Sequence, residues 1–298
     1  MTLKLENVTK KFGNHIAVNN LSLEIPEKTL FGFLGGNGAG KTTTFRMILD
    51  LIDQTEGNIT WNNEKITREK SDVIGYLPEE RGLYPKMKVK EQLVYLGKLR
   101  GMSKHNALTE LNHWLERFKI TEYLNKKVEE LSKGNQQKIQ FITAVLHKPK
   151  LLILDEPFSG LDPINVDMIM QAIMDLKAQN TSIIFSSHQM ERVEALCEHL
   201  CILRKGNAVV QGNLTEIKRS FGMKNLIIHA EGDLTFLKEV EGVNDYHTLA
   251  QGCELQIEDE MISQTILEKM EGYFVRKFEL EEPTLHDIFV DKVGEKYA

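Results

Sequence analysis

The chain has 298 residues, 41% hydrophobic and 27% charged, with a formal net charge of −6. That length suits about two domains of ~150 residues, and that balance excludes disordered, collagen-like and low-complexity classes. The apolar runs fall far short of the ~20 residues that span a bilayer. No basic start with an apolar stretch and cleavage site suggests a secretory signal, and Cys197, Cys201 and Cys253 are too few for a disulfide framework, which points to a reducing cytosol.

Leu3 to Val8 alternates apolar and polar residues, the pattern of a half-buried strand, and Val18 to Ile25 repeats it before Pro26. Leu30 to Leu34, Leu151 to Leu154 and Ser182 to Ser186 are short, nearly continuous apolar runs, which suit central strands covered on both faces. Between Lys86 and His147 the period changes. Val89, Leu93, Leu96 and Leu99 recur at helical spacing, as do Leu108, Leu111, Leu115 and Phe118, predicting a helical subdomain over 86–147. Residues 214–298 hold 18 acidic and nine basic side chains, net −9, which leaves +3 for residues 1–213. Neither part is a strong basic field, so nucleic acid is not an expected partner. The asymmetry marks a boundary near Gly212. Beyond it the pattern predicts strand 225–230, helix 233–240, strands 244–249 and 253–258, helix 262–270, strand 273–280 and helix 284–292, a small α+β domain with an antiparallel sheet.

Gly35-Gly36-Asn37-Gly38-Ala39-Gly40-Lys41-Thr42 matches the G-x-x-x-x-G-K-[ST] phosphate loop in full, and Thr43 opens the helix that follows it. Glycines let the backbone turn tightly and aim several N–H groups at one anion, and the helix N-terminus adds its positive dipole end. Lys41 suits the β- and γ-phosphates, and the Thr42 hydroxyl suits Mg²⁺. A plain Gly-rich turn would not require the strand, the loop, Lys-Thr and the helix in that order. At the end of the second apolar run stand Asp155 and Glu156. The carboxyl edge of an open α/β sheet is where ligands bind. There Asp155 can organise Mg²⁺ and Glu156 can polarise the attacking water. Alone, two acids at a strand end would read as solvated surface; a phosphate loop changes that.

Three further motifs narrow the reading: Leu131-Ser132-Lys133-Gly134-Asn135-Gln136-Gln137-Lys138 before the acid pair, Ser159-Gly160-Leu161-Asp162-Pro163 after it, and His188 after the strand that ends at Ser186. With these in order over residues 1–213, the sequence resembles the nucleotide-binding subunits of ABC transporters. The fold implied is α/β, a P-loop NTPase of the ABC ATPase type with an inserted helical subdomain, plus the small C-terminal α+β domain at 214–298. The resemblance implies that Phe12 stacks on adenine, that Val18 makes a small apolar contact with it, and that Gly38, Gly40, Lys41 and Thr42 hold the phosphates. It gives Asp155 to the metal, Glu156 the role of catalytic base and His188 that of the switch at the γ-phosphate. Ser132, Gly134 and Asp162 would contact ATP across the interface with a second copy in a head-to-tail sandwich. Gly36 stands where proline is common, Lys133 and Asn135 replace the usual signature glycine and glutamine, and Glu79 occupies the position of a glutamine. As a carboxylate, Glu79 becomes a candidate Mg²⁺ ligand.

The Glu-Glu-Arg-Gly-Leu-Tyr stretch at 79–84, the signature and the 282–289 tail are similar to the sodium-extrusion and drug-export type of bacterial ABC ATPase. The resemblance implies an ATPase at the cytoplasmic face of the membrane, energising efflux of Na⁺ or a drug through a separate polytopic permease. In this family the region of Glu79 to Lys90 receives the permease, and Tyr84, Pro85 and Met87 are apolar there. The alternative is a non-transport ABC ATPase of translation or DNA maintenance. One cassette and no long coiled-coil insertion favour transport. A P-loop nucleotide kinase would leave the signature and His188 unexplained. At helical spacing Cys197 and Cys201 share a face that His199 does not, so a core segment is preferred to a metal site there. Trp61 and Trp114 show no base-stacking pattern.

Overall fold

The computed structural model describes residues 2–67, 72–80 and 82–294. Arg81, within the 79–84 stretch, lies outside them. The chain divides into two compact units that meet between Gly212 and Asn213.

In the first unit, strands β1 (Leu3–Phe12), β2 (His15–Ile25), β4 (Glu56–Trp61) and β5 (Glu64–Lys65) form an antiparallel sheet ordered β2-β1-β4-β5. A second sheet is ordered β10-β9-β3-β8-β7-β6. It comprises β3 (Leu30–Leu34), β6 (Ile74–Leu77), β7 (Leu151–Asp155), β8 (Ser182–Ser187), β9 (His199–Arg204) and β10 (Asn207–Asn213). The pairs from β9 through β3, β8 and β7 to β6 are all parallel. Every residue of β3, β7 and β8 is buried, as the continuous apolar runs require. The order β3-β8-β7 is what builds the site. It sets the carboxyl end of the phosphate-loop strand beside those of the strands ending in Ser187 and Asp155.

Helix α1 (Lys41–Ile48) follows β3 through the glycine loop. At Gly40, φ is +111° and a Cβ would stand 2.6 Å from the Ala17 carbonyl oxygen, so only glycine fits. The helical subdomain holds α2 (Val89–Leu99), α3 (Lys104–Arg117) and α4 (Lys133–Val145). Its centre is an aromatic cluster in which Trp114 lies 5.6 Å from Phe118 and 5.9 Å from Phe141 between ring centres. Trp61 and Trp114 are both core residues. One periodicity expectation fails. The buried stripe of α2 is Val89, Gln92, Leu93 and Gly97, whereas Leu99 is 62% exposed. At about 100° per residue Leu99 lies only about 20° from the buried Gln92, so it is its place as the last residue of the helix, not its facing, that exposes it. Helix α5 (Pro163–Ala178) follows β7, and α6 (Met190–Leu196) follows β8. Cys197 ends α6 and Cys201 sits in β9, so the two are not on one helical face, and both are buried thiols.

The second unit opens with α7 (Leu214–Ser220), a helix that the apolar pattern beyond Gly212 does not predict. Asn213 caps it, its side-chain oxygen accepting from the N–H groups of Thr215 and Glu216. An antiparallel sheet ordered β12-β13-β11-β14 follows. Its strands are β11 (Lys224–Ala230), β12 (Val243–Leu249), β13 (Gly252–Ile257) and β14 (Val275–Glu281). Leu226, Ile228, Leu255 and Ile257 pack with Ile266 of α8 (Ile262–Lys269) in one core. Helix α9 (Leu285–Val293) starts with a Thr284–Asp287 capping box, and Asp287 also accepts from Asn225 Nδ2 at 2.9 Å. The expected helix at 233–240 is a 3₁₀ turn, Thr235–Glu239.

Candidate nucleotide site

A cleft of about 250 Å³ lies over the carboxyl ends of β3 and β7. Gly36 to Thr43 line one side, and Glu79, Asp155 and Glu156 another. Gly40 offers α1 no side-chain cap, and the first turn holds no acid, so its N–H groups remain available to an anion. Lys41 is buried. Its Nζ donates to the Gly35 carbonyl at 2.6 Å and the Gly36 carbonyl at 3.3 Å. Burial lowers its pKa, and the charges of Glu156, Asp155 and Glu79 work against that.

Ser186 organises the acid pair from the neighbouring strand. In the parallel register it stands opposite Asp155. Its Oγ donates to Asp155 Oδ1 at 2.6 Å and accepts from the Glu156 N–H at 3.0 Å. Asp155 is 1% exposed and its Oδ2 is buried with no hydrogen-bond partner. A buried oxygen left unpaired is costly unless something binds it. With the Thr42 hydroxyl and the Glu79 carboxylate on the same cleft, this hard oxygen set fits Mg²⁺. Glu156 holds a left-handed backbone, φ +50°. Its Oε2 lies 3.0 Å from His188 Nδ1, whose N–H is the donor because an ionised carboxylate only accepts. Burial pushes the Glu156 carboxyl up from the usual range, and the His188 hydrogen bond pulls it partly back.

The structure corrects one contact. Val18 is completely buried in the core and does not line the cleft; Ala17 does, with His15. Successive side chains of β2 point to opposite faces, so only one of the pair can face the ligand. Phe12 is half exposed at the cleft, with Lys10 Nζ 5.0 Å from its ring centre. Ser132, Gly134 and Asp162 do not line the cleft. Ser132 caps α4, its Oγ accepting from Asn135 N–H at 3.3 Å, and Asp162 caps α5 through Asn165 N–H at 3.0 Å. The two caps are neighbours. A Cβ on Gly134 would stand 3.0 Å from Asn165 Nδ2. Of the apolar surface near Glu79, Tyr84 is 56% exposed, Pro85 is exposed and Met87 is half-buried.

Residues 18–159 match the family described as ABC transporter, and residues 212–293 match the C-terminal domain of the DrrA1-3-like ATP-binding proteins. The chain is 62% identical to the ABC transporter ATP-binding protein YhaQ of Bacillus subtilis (strain 168), over 99% of each chain. The chain belongs to the ABC transporter ATP-binding proteins. The bacitracin transport ATP-binding protein BcrA of Bacillus licheniformis is 32% identical, over 98% of this chain and 97% of BcrA. Among solved structures, an ATP-binding subunit of an ABC transporter superposes with a TM-score of 0.69 at 27% identity, over 74% of this chain and 94% of that one. As an ABC ATPase, the protein binds nucleotide and hydrolyses ATP to power transport. The reading as a non-transport ABC ATPase finds no support among these relatives. ABC ATP-binding subunits form dimers and work with membrane permease components. Among the described residues, no helix is long and apolar enough to cross a membrane.

Proposed function

We propose that this ABC ATPase energises efflux of a drug-type solute through a separate polytopic permease, working at the cytoplasmic face of the membrane as a head-to-tail dimer with two ATP molecules between its copies. The observation that carries the site is the convergence of the phosphate loop, Asp155 and Glu156 on one cleft, with His188 hydrogen-bonded to Glu156. Bacitracin transport and linearmycin resistance, named for two relatives that each align over 98% of the chain, support the cargo class.

In this reading the loop N–H groups and Lys41 bind the β- and γ-phosphates, and Phe12 stacks on the adenine with Ala17 beside it. Thr42, Asp155 and Glu79 hold Mg²⁺, which when bound neutralises charge on the phosphate oxygens and fixes their orientation. Glu156 accepts a proton from the attacking water; its raised pKa makes it the stronger base. His188 orients that carboxylate and reaches the γ-phosphate. Ser132, Gly134 and Asp162 act on the nucleotide held by the second copy. Tyr84, Pro85 and Met87 form part of the surface that receives the permease.

Two variants test the site together. Lys41→Ala should weaken ATP binding by at least about 100-fold, because a buried cation leaves the phosphate cradle. Glu156→Gln should keep binding, lower turnover by about 10²–10⁴-fold and accumulate an ATP-bound dimer on a sizing column. Near-normal affinity in the first, or wild-type turnover in the second, would remove those assignments.

A further inference from the structure

Helix α4 carries two buried glutamines, Gln137 at 5% and Gln140 at 2% exposure. Residues three apart share a helix face. Gln140 Nε2 donates to the carbonyls of Pro78 and Glu80, both at 3.0 Å, on either side of Glu79. Both partners are acceptors, which fixes the orientation of the amide, since the reversed amide would set Oε1 against two carbonyl oxygens. Gln140 Oε1 itself is buried without a partner. An apolar side chain of the same length would fill this space without stranding that oxygen, so the donors are what the position retains. Gln137 Nε2 donates to the Pro157 carbonyl at 3.3 Å, next to Glu156. One face of α4 therefore holds both loops that carry the acids of the cleft. The helix is seated tightly on the same sheet: a Cβ at Gly75 of β6 would stand 2.1 Å from the Ala144 carbonyl oxygen. Its other end is Ser132, eight residues or about 12 Å from Gln140 along a rigid rod.

We propose that Gln137 and Gln140 are positioning residues: they tie Glu79 and Glu156 to α4, so that what engages the N-terminus of α4 sets the placement of both acids. This rests on the assignment of those acids to ATP hydrolysis given above. Nucleotide held by the second copy at Ser132 and Gly134 then acts on this copy's own cleft through one helix. Coupling between the two sites of the dimer, and with it any cooperativity in ATP, then depends on these two amides.

The test uses the full-length chain with Gln140→Met and Gln137→Met, which keep side-chain length and remove the donors. ATP affinity, kcat, the Hill coefficient for ATP and the melting temperature are measured in parallel, with Glu156→Gln as control. The expected result is that each glutamine variant lowers kcat by at least about tenfold and brings the Hill coefficient close to 1, while ATP affinity stays within about twofold and the fold melts normally. Wild-type kcat and cooperativity in Gln140→Met, with Glu156→Gln inactive, would overturn the inference and leave the site standing. Parallel losses of affinity, kcat and melting temperature would also overturn it, since they mark a merely structural role. Wild-type turnover in Glu156→Gln would overturn the site and this inference with it. If Gln140→Met does not fold, Gln137→Met decides by the same readouts.

Discussion

Ser186→Ala removes one oxygen and two hydrogen bonds from the middle of the parallel sheet. Ser186 is completely buried. Its Oγ donates to Asp155 Oδ1 at 2.6 Å and accepts the Glu156 N–H at 3.0 Å. The first bond reaches a carboxylate and is worth about 1.5–3 kcal/mol; the second leaves a buried N–H unpaired, at about 1–3 kcal/mol. Alanine is too small a change to add a cavity term of note, so the expected loss is about 3 kcal/mol. For a unit of 212 residues that corresponds to about 6–12 °C in Tm. Ser187→Ala is the matched control. Ser187 is equally buried, one residue further along β8, but its Oγ serves a single backbone N–H, that of Gln189 at 3.0 Å. Its loss should be about 1 kcal/mol. Scanning calorimetry of both variants, without nucleotide, reads the first unit directly. Because Glu156 holds a strained left-handed backbone that this hydroxyl secures, kcat should also fall by about tenfold in Ser186→Ala alone. If Ser186→Ala costs no more than Ser187→Ala, the bridging role of the hydroxyl is wrong.

Two further outcomes follow from the charges. Glu79→Gln removes an anion from the phosphate cleft, so ATP affinity without Mg²⁺ should rise by about fivefold, or about 1 kcal/mol, while more Mg²⁺ is needed for half-maximal turnover; loss of all nucleotide binding would contradict this. His147, whose Nε2 bonds to the Ile74 carbonyl at 3.1 Å, has its pKa lowered from 6.5 to about 4, chiefly by burial and then by the charge of Arg100. The fold holds the neutral ring, so its contribution is complete above pH ~6.5 and is lost as pH falls towards 4. Discounted for partial exposure, wild type should lose about 1–2 kcal/mol more than His147→Gln between pH 7.5 and pH 5 in urea titrations. Equal losses in the two proteins would show that His147 is not the group responsible.

Local chemistry made the phosphate loop and the acid pair legible in the sequence. Glycines with Lys41 and Thr42, and Asp155-Glu156 at the end of an apolar run, each state their requirement within a few residues. The strands of the second unit were legible for the same reason, since alternation is local. What stayed hidden depends on strand order and on facing. Ser186 reads as the polar end of an apolar run until β7 and β8 are known to be parallel neighbours with Ser186 opposite Asp155. Gln137 and Gln140 lie inside the signature helix, and nothing in their spacing tells which loops they face. Ala17 and Val18 differ only by the face of β2 that each occupies, which an edge in the cleft decides. Leu99 shows the limit of periodicity, because a helix that ends near a subdomain surface exposes its last apolar residue. The 3₁₀ turn at Thr235–Glu239 shares its short-range apolar pattern with an α-helix of the same length.

The central claim is that this ATPase drives efflux through a separate permease. It is tested most directly by tagging the chain in its native cell, extracting with mild detergent and identifying what co-purifies. A multi-span membrane protein in fixed ratio, with ATP turnover that responds to an exported drug, is the predicted result. Ribosomes, DNA-associated proteins or no membrane protein at all would contradict it.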